Sequence, residues 1–180
     1  MRRFALIATI LAVLGGVPAP AHAGIGATLV KGGLAFPTAF AFVPNGTRIF
    51  YLERFSGEIR LLNLTNGNDT LFYTVPNIVS DGERGLLGIT LHPDYPTRPY
   101  VYVYATRSVT GAKNQLIRLT NSGRTGTGFK ALASFTSVSG YHNGGAIRVG
   151  PDRRLYALVG DGHNSANAQT LDNNLGKVCG

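Results

Sequence analysis

The sequence predicts an all-β fold, a β-propeller with about three of its blades present in this chain. Three observations point there. The 180 residues include 24 Gly and 9 Pro, alongside frequent Tyr, Phe and Val, a mixture that suits strands joined by tight turns. Hydrophobic residues make up 44% of the chain and charged ones 14%, a balance expected of a globular domain and not of a disordered one. Finally, one layout recurs three times: a short apolar strand, a Pro followed by Asn or Asp, then an alternating strand. A β-sandwich whose turns resemble one another is the competing architecture.

The chain opens on a segment outside this pattern. Residues 1–23, "MRRFALIATILAVLGGVPAPAHA", have a basic start at Arg2 and Arg3, an apolar run from Phe4 to Leu14, and a small-x-small ending at Ala21-His22-Ala23. This is the pattern of a secretory signal peptide. The apolar run is too short for a transmembrane anchor, and no Cys follows the cleavage site to carry a lipid. The expected organisation is therefore a signal peptide at 1–23 and one domain over 24–180, exported to the periplasm or the medium. Removing Arg2 and Arg3 lowers the formal charge from +8 to +6. The remaining basic residues are scattered and form no nucleic-acid motif, so they read as a solvated surface.

The first repeat runs from Phe36 to Leu64 and turns at Pro44-Asn45. Its alternating strand is "RIFYLE", and a third strand shows Ile59 and Leu61 two apart. The second runs from Gly85 to Ser108, turns at Pro93-Asp94, and continues through "YVYVYA" to "NQLIRLT" at Asn114–Thr120. The third, Gly144–Gly162, turns at Pro151-Asp152 before "RLYALV". Pro fixes φ and the short polar side chain after it caps its own backbone, which makes these turns. The Pro-to-Pro spacings are 93 − 44 = 49 and 151 − 93 = 58 residues, close to the roughly 40–50 of propeller blades. About half a ring leaves open sheet edges that native folds avoid, so the chain is expected to be part of a longer protein or to meet a missing C-terminal half.

Two polar groups bracket the third repeat. His142 stands before it in "YHNGG" and Asp161 after it in "GDG". Two strands separate them, and an antiparallel hairpin returns both ends to one rim. Histidine titrates near neutrality, and a carboxylate on its second ring nitrogen would fix the tautomer. The same segments also read as plain Gly-rich turns. Elsewhere the chemistry is thinner. "NSGRTGTGFK" (121–130) has its Lys one residue late for a phosphate-binding loop and reads as a hairpin loop. There is no G-x-S-x-G nucleophile elbow, and His92 and His163 make no zinc spacing with His142. Cys179, the single thiol, reads as unpaired and unreactive. "SANAQTLDNNLGK" (165–177) reads as a short helical turn or a connection between blades.

Two of these stretches, "GERGLLGITLHPDYPTRPYVYVYAT" and "HNGGAIRVGPDRRLYALVGDGHNSANAQTLDNNLGK", resemble the soluble quinoprotein glucose/sorbosone dehydrogenase family, the PQQ-dependent aldose sugar dehydrogenases. "GLAFPTAFAFVPNGTRIFYLERFSGEIRLL" looks like that family's first blade. The resemblance implies a six-bladed propeller holding PQQ over its central channel with calcium nearby. It implies His142 as the base that takes the sugar hydroxyl proton, Asp161 as the group orienting it, and Glu83, ahead of "GLLG", beside the cofactor. Glu83 and His142 are thus the expected cofactor contacts; no metal ligand is expected in this chain. The basic residues that hold PQQ and the calcium ligands belong to later blades, so this chain is expected to be a truncated and inactive form. The implied reaction is oxidation of aldose sugars by hydride transfer to the quinone. The alternative is a non-catalytic propeller module that binds a sugar or a protein. The sequence leaves the electron acceptor and the sugar open, and it indicates neither nucleic acid nor a membrane anchor as a partner.

Overall fold

A computed structural model describes residues 26–180, so the segment assigned to export lies outside the described residues. Eleven strands and one single-turn helix follow in order: β1 (Pro37–Phe42), β2 (Arg48–Glu53), β3 (Glu58–Asn63), β4 (Asp69–Thr74), β5 (Leu86–Leu91), β6 (Tyr100–Val109), β7 (Gly111–Ser122), β8 (Thr125–Thr136), β9 (Gly144–Val149), β10 (Leu155–Val159), α1 (Ala166–Gln169) and β11 (Lys177–Cys179). They make three antiparallel sheets, ordered β1-β2-β3-β4, β5-β6-β7-β8 and β11-β10-β9. Each repeat read from the sequence is one sheet, and each Pro-Asn or Pro-Asp pair lies in the connection between its first two strands.

The middle sheet is covered on both faces, which explains the alternation of "YVYVYA". Val101, Val103 and Ala105 of β6 point into a core shared with the first sheet, where they meet Phe50, Leu52, Ile59 and Phe72. Tyr104 points the other way, into a second core with Ile147, Ala157 and Val159 of the third sheet. β7 splits the same way: Ile117 and Leu119 join the first core and Leu116 the second. Each of these Val, Leu, Ile and Phe side chains, once fully buried, contributes about 1.5–3 kcal/mol of hydrophobic stabilisation. Phe50 and Phe72 add an edge-on contact at 4.9 Å between ring centroids.

Three places go beyond the sequence reading. The stretch 121–130 is a hairpin, as read, but its loop is only two residues long: Gly123 and Arg124, at φ 59° and 78°, make the turn, and Thr125 onward is strand β8. Two consecutive left-handed residues match the twist of a hairpin, so the ladder continues on both sides. β4 and β8 are the last strands of their sheets. Their Thr- and Gly-rich outward positions gave no period-2 signal. Cys179 is a free thiol, as read, but it stands in strand β11, which pairs with β10, and packs against the second core.

β5 packs against β1 and β2 on one side and β9 on the other. The approach to β9 is very close, since a β-carbon at Gly88 would lie 1.9 Å from the Gly145 carbonyl oxygen. Because β5 and β9 are each the first strand of their sheet, the loops entering them, 81–85 and 139–143, meet at one rim. The Glu83 amide donates to the Gly140 carbonyl at 2.7 Å.

Candidate active site

His142, Asp161 and Glu83 come together at that rim. His142 stands in the loop into β9, Asp161 follows β10, and Glu83 stands in the loop into β5. The His142 Nδ1 lies 2.9 Å from Asp161 Oδ1, and the His142 amide donates to Glu83 Oε2 at 2.7 Å. The imidazole is 51% exposed and the Asp161 carboxylate 25%. With Nδ1 turned to a carboxylate, the Nδ1–H tautomer is favoured and Nε2 keeps its lone pair for a proton from outside.

The hairpin closes tightly around this pair. His142 itself is left-handed, at φ 55°. Its carbonyl accepts from the Gly162 amide at 3.1 Å. A β-carbon at Gly160 would lie 1.8 Å from that same carbonyl oxygen. In "VGDG" Gly160 is therefore required by close backbone approach and Gly162 by its left-handed φ of 67°, and the turn reading and the paired-site reading describe one structure.

The carboxylate of Asp161 serves two neighbours: besides the imidazole it accepts the His163 amide at 2.9 Å. The His142 hydrogen bond, helped by the His163 amide, holds the Asp161 carboxyl below the usual carboxylate range against the opposing effect of burial. The His163 ring stands edge-on to His142 at 5.0 Å and tilted to Tyr141 at 5.7 Å. His163, dismissed as a zinc ligand from its spacing, is thus part of this surface.

Beneath it lies a polar cluster that the sequence did not announce. Asn143 is 3% exposed, and Thr106, Asn114 and Ser137 are buried around it. Arg84 donates to Ser137 Oγ and to the Ser137 carbonyl, both at 2.9 Å, and grips Asp81. Arg54 donates to the carbonyls of Arg84 and Gly82 and lies 4.8 Å over the Phe55 ring. A faint signal existed, because Thr106 and Asn114 are polar residues placed opposite each other in apolar strands.

A groove of about 430 Å³ runs between residues 28–34 and the first sheet and contains none of these residues. It is an apolar trough with no titratable pair like His142 and Asp161, so the chemistry is not there. Among the described residues no group of three or more His, Cys, Asp and Glu side chains is placed to hold a metal ion, and no helix is long and apolar enough to cross a membrane.

Comparisons with known proteins define the class to which this all-antiparallel chain belongs. Residues 34–180 match the family described as Glucose / Sorbosone dehydrogenase, and the chain belongs to it. It is 33% identical over 136 residues to quinoprotein glucose dehydrogenase B of Acinetobacter calcoaceticus, covering 69% of this chain and 28% of that protein. With the aldose sugar dehydrogenase of Escherichia coli K12 it shares 24% identity over 166 residues, 88% of this chain and 44% of the other. Its fold superposes on the PQQ-bound aldose sugar dehydrogenase of Streptomyces coelicolor with a TM-score of 0.75 and 30% identity, over 83% of this chain and 45% of that one. The chain thus spans less than half the length of these relatives.

Proposed function

We propose that this chain carries the proton-accepting side of a PQQ-dependent aldose sugar dehydrogenase, with its three sheets as consecutive blades of a six-bladed propeller. One observation supports this most: His142 Nδ1 rests on Asp161 at 2.9 Å while the ring stays half exposed. Oxidising an alcohol by hydride loss requires its O–H proton to leave to a base poised near neutrality. His142 Nε2 takes that proton, and Asp161 stabilises the imidazolium that results. PQQ, when bound, supplies the hydride acceptor.

The residues present fit one side of a cofactor site. Glu83 and His142 stand where a ligand over the rim would meet them. The anionic groups of PQQ need several convergent cations, and here the two guanidiniums flanking Glu83 are engaged: Arg54 by carbonyls, Arg84 by Ser137 and Asp81. Glu83, Asp161 and Asp81 add negative charge. We therefore assign the charge-neutralising groups and calcium to parts of the protein outside these residues, and expect residues 1–180 alone not to turn over sugar. Export by the leader at 1–23 belongs to the same reading.

The test joins residues 34–180 to the remaining length of the Streptomyces coelicolor aldose sugar dehydrogenase. The chimera, loaded with PQQ and calcium, is assayed by dye reduction with glucose and other aldoses. It oxidises them, and His142→Ala lowers turnover by about two to four orders of magnitude, the usual share of a general base. A His142→Ala chimera with undiminished turnover overturns the assignment.

A further inference from the structure

We propose that Asn143 is a positioning residue that seats the His142 imidazole on Asp161, acting through a buried polar network of the middle sheet; its catalytic meaning rests on the reading above. Asn143 is the peptide neighbour of His142, and every polar group of its side chain is used. Its Oδ1 accepts from Asn114 Nδ2 at 3.0 Å and from Ser137 Oγ at 2.6 Å, and its Nδ2 donates to the Ser139 carbonyl at 3.1 Å. Its own carbonyl accepts from the Tyr104 hydroxyl at 3.1 Å. Asn114 is pinned in turn by Thr106 Oγ1 at 2.6 Å.

These contacts close a ring around the base. Arg84 holds Ser137, Ser137 holds Asn143, Asn143 is bonded to His142, and the His142 amide is held by Glu83, which precedes Arg84 in the chain. The amide suits the position because its oxygen accepts two hydrogen bonds while a separate nitrogen donates a third. A buried Asn can instead be a satisfied core residue that serves stability alone. The backbone of His142 argues for more. A residue with a β-carbon holds φ 55° only where its surroundings over-determine it. Here the peg on one side is Asn143 and the clamps on the other are Glu83 and Gly162.

The test reads the imidazole directly and needs neither cofactor nor sugar, so a chain inactive toward sugars leaves it unaffected. Long-range proton–nitrogen correlation spectra of the ¹⁵N-histidine-labelled 180-residue chain report which ring nitrogen of neutral His142 carries the proton. The unmodified chain shows the Nδ1–H form dominant. Asn143→Ala shifts the ratio about tenfold toward Nε2–H, the loss of one charge-assisted hydrogen bond. Tyr104→Phe, which removes only the hydroxyl and keeps the ring packing, shifts it in the same direction by less. If Asn143→Ala fails to fold, Tyr104→Phe decides. An unchanged ratio in the folded variants, or an Nε2–H form in the unmodified chain, overturns the proposal.

Discussion

Replacing Gly160 with Ala tests whether the hairpin really closes on His142. The position has no left-handed φ, so backbone freedom favours the substitution by about 0.4–1 kcal/mol. The steric effect opposes it. The new β-carbon would lie 1.8 Å from the His142 carbonyl oxygen and 2.4 Å from its carbon, roughly 1.5 Å inside the 3.3–3.6 Å of a tolerated C···O contact. Both neighbours are backbone, so no side chain can swing away. Overpacking of this kind costs about 1–3 kcal/mol and occasionally more, so the steric effect wins. At about 2–4 °C per kcal/mol for a domain of this size, the melting temperature falls by roughly 2–8 °C. The carbonyl must move, so the Gly162 amide that bonds to it exchanges faster with solvent. The Asp161 carboxyl, released from His142, titrates closer to its ordinary 3.8. Gly32→Ala, where the β-carbon meets open space, is the control and leaves all three unchanged. A Gly160→Ala protein with unaltered melting, Gly162 exchange and Asp161 titration would refute the close approach.

Two further outcomes follow from charge and burial. Asp161 has its folded pKa lowered, so its contribution to stability is present above the ordinary 3.8 and is lost as pH falls through the folded value. Urea midpoints of Asp161→Asn lie below those of the unmodified protein near neutral pH and converge with them in acid; a gap that persists in acid contradicts the linkage. Arg107 is buried, donates to the Pro76 carbonyl and Gln115 Oε1, each at 2.7 Å, and lies 4.7 Å over the Phe129 ring. Lysine cannot make that fork and stack together, so Arg107→Lys lowers unfolding free energy by about 2–4 kcal/mol, and a loss below about 0.5 kcal/mol in urea denaturation speaks against the assignment.

What the sequence disclosed tracks how local the cause was. Pro44-Asn45, Pro93-Asp94 and Pro151-Asp152 bend the chain by their own covalent geometry, so the repeats and the first strands of each sheet were readable in advance. β6 was readable as an alternating strand, whereas its burial on both faces comes from the sheets that cover it. β4 and β8 were not: they end their sheets, and their place depends on a ladder to β3 and β7 that few of their outward side chains record. His142 and Asp161 met as a down-and-back excursion requires. Glu83 came only from family resemblance, which suggested a place beside a cofactor and could not show its carboxylate holding the His142 amide.

Asn143 marks where reading by residue type stops. In "YHNGG" an Asn before two glycines has the composition of a turn, and nothing local says that its amide is buried. Burial arises because the middle sheet brings Thr106, Asn114 and Tyr104 beneath the loop from positions 29 to 39 residues away in sequence. The two glycines after it serve the same end. Gly144 holds φ 75°, and a β-carbon there would lie 2.3 Å from the Leu158 carbonyl oxygen; at Gly145 one would strike Leu87 of β5 at 2.6 Å. Gly144 thus lets β9 close on β10 within the third sheet, while Gly145 lets that sheet press onto the second, the contact beneath which Asn143 is buried. The rim histidine is therefore fixed by the junction of two sheets and not by its own hairpin alone, so substitutions in β6 and β7 can reach the site without touching it.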